Sequence, residues 1–402
     1  MTTKNEKKKA PVALPGGWKV PLWVTGVIPV VLVGLLLVLF FTKGPIGIFR
    51  EAFPPVEELT VERVSFPEAG VVYVDVVNGG PEPVTIAQVA VDDAMWAYTL
   101  DADKEIPRLG RTRLRLNYPW VYGEPHEVKV VTSTGLVFIG RAEVAVTTPR
   151  PDARYLSTFA LLGIYAGLIP VFLGLLWFPF LRRLAPVWVE FFLSLTVGLL
   201  LFIGIEAVNE AVETAGMLPG AYQGLLLVFV GIAAAFLGLI AVGQWLRKSA
   251  KETSGLTTAY LIATGIGLHN LGEGLAIGSA YALGAIALGT FFVVGFLLHN
   301  TTEGLAIIAP VARQPQISRW HFVWLGLLAG APTILGAWIG GFTYSPIWST
   351  FFLAFGAGAI FQIVWVLVRQ SIGTDSIFSL RNSVGLFLGI IIMYATELLV
   401  TV

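Results

Sequence analysis

The 402-residue chain contains no cysteine. That excludes disulfide staples, thiolate metal sites and thiol redox chemistry, so any metal must be held by imidazole, carboxylate, amide or water. Charge is scarce as well: only 13% of residues are Asp, Glu, Lys or Arg, where a soluble domain carries roughly a quarter. The 26 basic residues balance the 26 acidic ones, and no dense basic patch with interleaved aromatics occurs, so nothing points to a nucleic-acid partner. What the chain has in abundance is apolar surface, with 55% hydrophobic residues and a mean hydropathy of +0.77. A sequence of this kind belongs in a bilayer.

Four segments follow from the pattern. Residues 1–21 form a basic tail that includes Lys7, Lys8 and Lys9, and residues 22–42 form an uncharged run long enough to span. That run exceeds the apolar core of a signal peptide and no small-residue cleavage site follows it, so an uncleaved anchor is expected. Residues 43–150 change texture. Stretches such as "GVVYVDVVNGG" and "HEVKVVTSTGLVFIGRAEVAV" alternate with period two and are broken by Gly, Pro and Asn turns. They predict a small all-β, sandwich-like domain of immunoglobulin-like size whose ligand is unknown. His126, in "GEPHEV", is expected to be a solvated loop residue without a function.

From residue 151 to 402 the chain is apolar almost throughout. Eight spans are expected, near 155–181, 187–213, 222–246, 257–281, 284–310, 321–343, 346–369 and 381–400. With the anchor that makes nine. Basic residues cluster in the N-terminal tail, at Arg182–Arg183, at Arg247, Lys248 and Lys251, at Arg313 and Arg319, and at Arg369 and Arg381. These are alternate connections. The positive-inside rule then sets the amino terminus in the cytoplasm, and the β-domain and carboxyl terminus outside the cell membrane.

Within this apolar region "HNLGEGLAIG" at 269–278 nearly repeats as "HNTTEGLAII" at 299–308, with seven of ten positions identical. Residues four apart share a helix face, so His269 lies over Glu273 and His299 over Glu303. If the two helices face one another, two imidazoles and two carboxylates converge, with Asn270 and Asn300 beside them. That nitrogen and oxygen shell suits Zn²⁺, Fe²⁺ or Mn²⁺. An ionisable residue inside a membrane costs at least about 2.5 kcal/mol. A single buried His–Glu pair could be a structural hydrogen bond, but a duplicated one in adjacent helices argues for a metal.

These two strings resemble the fourth and fifth transmembrane helices of the ZIP (Zrt/Irt-like) divalent metal transporters, in particular the bacterial type with HNxPEG in both. "TVGLLLFIGIEAVNEAVE" (196–213) resembles that family's second helix, "LLAGAPTILGAWIGG" its sixth and "FLAFGAGAIFQIV" its seventh. The resemblance covers about residues 155–402 and leaves the anchor and the β-domain as additions. It implies an all-α eight-helix bundle and a metal site made by His269, Asn270, Glu273, His299, Asn300 and Glu303, completed by Glu206. Glu210 and Glu213 would form an acidic entrance. Gly272 and Thr302 replace the usual prolines, and Ala331 replaces a carboxylate. Asn300 stands where many members have a second acid, so one metal per protomer is expected.

The function implied is passive or proton-linked uptake of a divalent cation by alternating access. Zn²⁺ is the first candidate and Fe²⁺ or Mn²⁺ the next; the cation is cargo rather than a prosthetic group. The other partners expected are the lipid bilayer and a second copy in a homodimer. Two rivals remain: a metal sensor that does not transport, and an intramembrane zinc hydrolase. The hydrolase is disfavoured because Asn270 and Asn300 occupy the position after the first histidine, where the HExxH motif needs a glutamate as base.

Overall fold

A computed structural model describes residues 22–43, 56–101, 104–249, 255–312, 314, 317–371 and 379–400. The basic tail 1–21, residues 44–55, Lys251 and Arg313 lie outside the described residues. The chain divides into a unit up to Val56 and a second from Glu57 to Val402. In the first, the expected anchor is helix α1 (Leu22–Lys43), whose apolar stretch is Val27–Leu39.

The second unit begins with nine strands: β1 (Leu59–Glu68), β2 (Val71–Asn78), β3 (Val84–Val91), β4 (Ala94–Trp96), β5 (Tyr98–Leu100), β6 (Glu105–Ile106), β7 (Arg111–Asn117), β8 (His126–Thr132) and β9 (Val137–Ala142). They form two antiparallel sheets, ordered β1-β2-β7-β5 and β4-β3-β8-β9, with β6 on β3. Period-two patterning drives the arrangement. Along β7, "RTRLRLN", every second residue is buried, as the pleat requires. Val74, Val76, Leu114 and Leu116 from one sheet meet Val89, Val91, Val128 and Val130 from the other in a single apolar core. The β3–β4 turn places Asp92 and Asp93 at positive φ, 50° and 66°, the geometry of a tight hairpin.

His126 departs from expectation. It opens β8 rather than lying in a loop, and it is 6% exposed. Its Nδ1 is 2.7 Å from Asp92 Oδ2, and its ring packs edge-on against Tyr118. The alternation of "HEVKVVT" carries it inward, a periodicity that a reading centred on the neighbouring Gly and Pro overlooks.

The helical bundle follows. It comprises α2 (Ala153–Gly163), a π-helical turn (Ile164–Leu168), α3 (Ile169–Leu175), α4 (Phe178–Leu181), α5 (Pro186–Gly216), α6 (Gly224–Ser249), α7 (Gly255–Ala282), α8 (Ile286–Ile308), α9 (Arg319–Gly330), α10 (Pro332–Phe342), α11 (Pro346–Ser371) and α12 (Leu380–Val400). Among the described residues six helical stretches are long and apolar enough to cross a membrane: 153–181, 187–216, 220–244, 286–311, 319–342 and 346–369. α7 has the length, 28 residues, but its apolar character is diluted by His269, Asn270, Glu273 and several threonines and glycines. α12 contributes the shorter apolar stretch Leu380–Thr396. Of the six stretches, 346–369 is the most buried (61%) and 220–244 the least (22%), so α11 is central and α6 peripheral.

The β-domain rests on one end of this bundle. Glu58 Oε1 accepts the Gly220 N–H at 2.8 Å, and Arg63 Nη2 donates to the Ala282 carbonyl, the last of α7, at 3.2 Å. Thr343 and Tyr344, between α10 and α11, share a cavity of about 550 Å³ with Glu62, Arg63 and Asp75. The connections bearing Arg182–Arg183, Arg247–Lys248, Arg319, Arg369 and Arg381 therefore fall at the opposite end. There Arg381 lies 3.7 Å from Glu190.

Candidate metal centre

α7 and α8 are both continuous through the repeated motif, as Gly272 and Thr302 in place of proline would allow. Each is drawn against a different neighbour by the glycine after its glutamate. A Cβ on Gly304 would meet Gly174 Cα of α3 at 2.7 Å, and one on Gly274 would meet Ala337 N of α10 at 2.9 Å. Only hydrogen side chains permit such approach, the usual device where helices pack in lipid. The two glycines thus seat α7 and α8 in the bundle with their His–Glu faces turned to each other.

On those faces three ligand atoms converge. His269, Glu273 and His299 each offer one, all within 4.8 Å of one another, and all three residues are buried. A four-coordinate zinc with bonds of about 2.0–2.1 Å spaces its ligand atoms roughly 3.3 Å apart. His269 Nε2 lies 3.1 Å from Glu273 Oε1, and His299 Nε2 is hydrogen-bonded to the same oxygen. The rings of His269 and His299 are 6.3 Å apart, and Phe296 closes one side, 5.3 Å from the His299 ring.

The intrahelical pairing is kept in α7 and exchanged in α8. His299 turns away from Glu303, four residues on, and binds across to Glu273. Glu303 is 1% exposed, and neither of its oxygens accepts a hydrogen bond. It nevertheless lies within electrostatic reach of His269, Glu273 and His299.

The two asparagines take up positions the sequence did not foretell. Asn270 Nδ2 donates to the Ala329 carbonyl of α9 at 3.1 Å. Asn300 Nδ2 donates to the Ala166 carbonyl at 2.8 Å and to Glu273 Oε2 at 2.9 Å. Both Oδ1 atoms are buried without a partner. With both of its amide hydrogens occupied, Asn300 offers oxygen alone, whereas Asn270 gives one hydrogen to Ala329 and also approaches Glu303. Four bare buried acceptors, two on Glu303 and one on each asparagine, therefore accompany the His–Glu–His cluster. Buried oxygens normally find donors, and unmet ones call for an explanation such as an ion. His269, Glu273 and His299 could hold a divalent cation, with Asn270, Asn300 and Glu303 supplying further oxygens.

The carboxylates of α5 lead toward this point. Glu213 is exposed, while Glu210 and Glu206 are half-buried. Glu210 is within electrostatic reach of His269 and Glu273, and Glu206 of His299. The descent from 213 to 206 covers about 10 Å of helix at 1.5 Å per residue. The backbone carbonyls of Ala166 and Ala329 are the components that motif reading passed over. Pro170, inside an apolar span, was the available signal, since a proline removes the donor of the carbonyl four residues before it. A scan of protein-family models found no match to this chain, and a search of curated proteins found none either.

Proposed function

We propose that this protein carries a divalent metal cation across the cytoplasmic membrane and that the twin His-Asn-x-x-Glu-Gly motif is its transport site. Zn²⁺ is the preferred cargo, with Fe²⁺ and Mn²⁺ next. The observation that carries the reading is the set of four bare buried oxygens around two imidazoles and a shared carboxylate. Without a cation such a set is expensive to bury; with one it is neutralised. An all-nitrogen and oxygen shell also suits transport, which must bind firmly enough to select and loosely enough to release. On this reading the chain is ZIP-like and crosses nine times, with its amino terminus inside and its carboxyl terminus outside. Cations enter past Glu213, Glu210 and Glu206, whose negative field concentrates them.

A second reading has its own support. The β-domain holds the last carbonyl of α7, the helix of His269 and Glu273, through Arg63. A domain fastened to a metal-binding helix could report occupancy, as in a sensor. Reconstitution in liposomes separates the two. Zn²⁺, Fe²⁺ or Mn²⁺ influx that is present in the native chain and lost in Glu273→Ala/Glu303→Ala is the expected result. Absence of flux from both, with stoichiometric metal bound by the native chain alone, would replace the carrier with the sensor.

A further inference from the structure

We propose that Pro170 is a positioning residue of the metal centre: it frees the Ala166 carbonyl to fix the Asn300 amide, whose Oδ1 is thereby presented to the cation. The inference rests on the metal-site reading above and adds to it a residue that no ligand motif contains.

The first apolar stretch is not one regular helix. α2 ends at Gly163, and in the π-turn that follows, the Ile169 N–H returns to the Ile164 carbonyl, five residues back. α3 begins at Ile169, and in its i→i−4 register residue 170 would donate to Ala166, but a proline has no N–H. The Ala166 carbonyl thus lacks the donor that any other residue at 170 would offer it, and Ala166 is fully buried. In a bilayer such a group must be satisfied from elsewhere. Asn300 satisfies it at 2.8 Å.

That single contact has consequences for the site. Asn300 Nδ2 has two hydrogens; one goes to Ala166 and the other to Glu273 Oε2, at 2.9 Å. Because the amide is planar, fixing both N–H directions fixes the direction of Oδ1, which is buried and unpartnered. The same bond holds Glu273 Oε2, while Oε1 faces the two histidines. One proline-freed carbonyl therefore orients an amide oxygen and a carboxylate together. Partners of this kind behind metal ligands commonly set affinity by 10- to 100-fold. In the other copy of the motif Asn270 also holds a backbone carbonyl, that of Ala329 in the last turn of α9, although the carbonyl four residues before Pro332 is that of Leu328.

The test is to give residue 170 an N–H. In Pro170→Ala the new donor competes for Ala166 and releases the Asn300 amide, while the helix gains a hydrogen bond. Equilibrium binding of Zn²⁺ to the detergent-purified full chain should weaken about tenfold or more, with the metal-free thermal midpoint unchanged or higher. Pro170→Ser returns the same N–H with a different side chain and should show the same loss. In an Asn300→Ala background, Pro170→Ala should add nothing, because the two act through one bond. Native-like Zn²⁺ affinity in both proline variants, or an equal loss with and without Asn300, would overturn the inference while leaving the metal site standing. Failure of the unmodified chain to bind Zn²⁺ would remove the site and this inference with it.

Discussion

Glu273 and Glu303 occupy equivalent places in the repeat and have opposite local roles. Glu273 is held by His299 and Asn300, with His269 3.1 Å away; Glu303 accepts from neither imidazole and has only the approach of Asn270 beside it, although it is just as buried. Replacing a bare buried carboxylate by an apolar side chain of similar volume is often neutral or stabilising, whereas removing a paired one strands its donors. Glu303→Met should therefore keep or raise the metal-free thermal midpoint, and Glu273→Met should cost about 1–3 kcal/mol. Both should lose Zn²⁺ binding, which calorimetry on the same samples would read. A midpoint that falls equally in both would contradict the asymmetry. The i, i+4 spacing made the two His–Glu faces legible in sequence. The exchange of His299 from Glu303 to Glu273 was not legible, because it depends on how two helices are set against each other by Gly274 and Gly304, through contacts with α10 and α3.

Among the secondary elements, the β-sandwich and the long helices could be read from periodicity, since burial imposes period two or continuous apolarity on the residues themselves. The division of the first stretch into α2, π-turn and α3 could not, because a π-turn shifts register by one residue and leaves the apolar pattern intact. The β-domain shows the same limit at Asp92. Its carboxylate joins three elements: it accepts the Glu127 N–H at 2.9 Å, the Tyr118 hydroxyl at 2.7 Å and His126 Nδ1 at 2.7 Å. Burial pushes its pKa up, but these hydrogen bonds prevail and hold it below the usual carboxylate value. A depressed folded-state pKa gives stability that is complete above the unfolded value, near 3.9, and is lost as pH falls through the folded one. Tyr118 is the mirror case. Its bond to Asp92 raises the phenol to about 12, so its contribution holds below about 10 and fades as pH rises toward 12. Unfolding of the sandwich followed by near-ultraviolet dichroism should thus show loss on both limbs. Asp92→Asn should flatten both, and unchanged limbs in that variant would show that the stability lies elsewhere.

At the scale of the whole molecule, the β-domain and the basic connections lie at opposite ends of the bundle, and the paired glutamates sit between them. Glu58, Arg63 and Val144 bring the domain onto the ends of α5, α7 and α8. Those are the same ends toward which Glu206, Glu210 and Glu213 climb. Nothing in the alternating strands foretold this seating, because it rests on a few isolated contacts to backbone at helix ends and in the loops between them. The repeated motif did foretell where buried polar side chains would gather, since polar residues are costly in an apolar span whichever helix faces which. The most direct test of the central claim is X-ray absorption at the zinc edge on the full chain loaded with one equivalent of Zn²⁺. The account predicts a nitrogen and oxygen shell near 2.0–2.1 Å, with multiple scattering from two imidazoles that falls to one in His299→Ala. A shell of oxygen alone, or a two-imidazole signature unchanged by loss of His299, would contradict it.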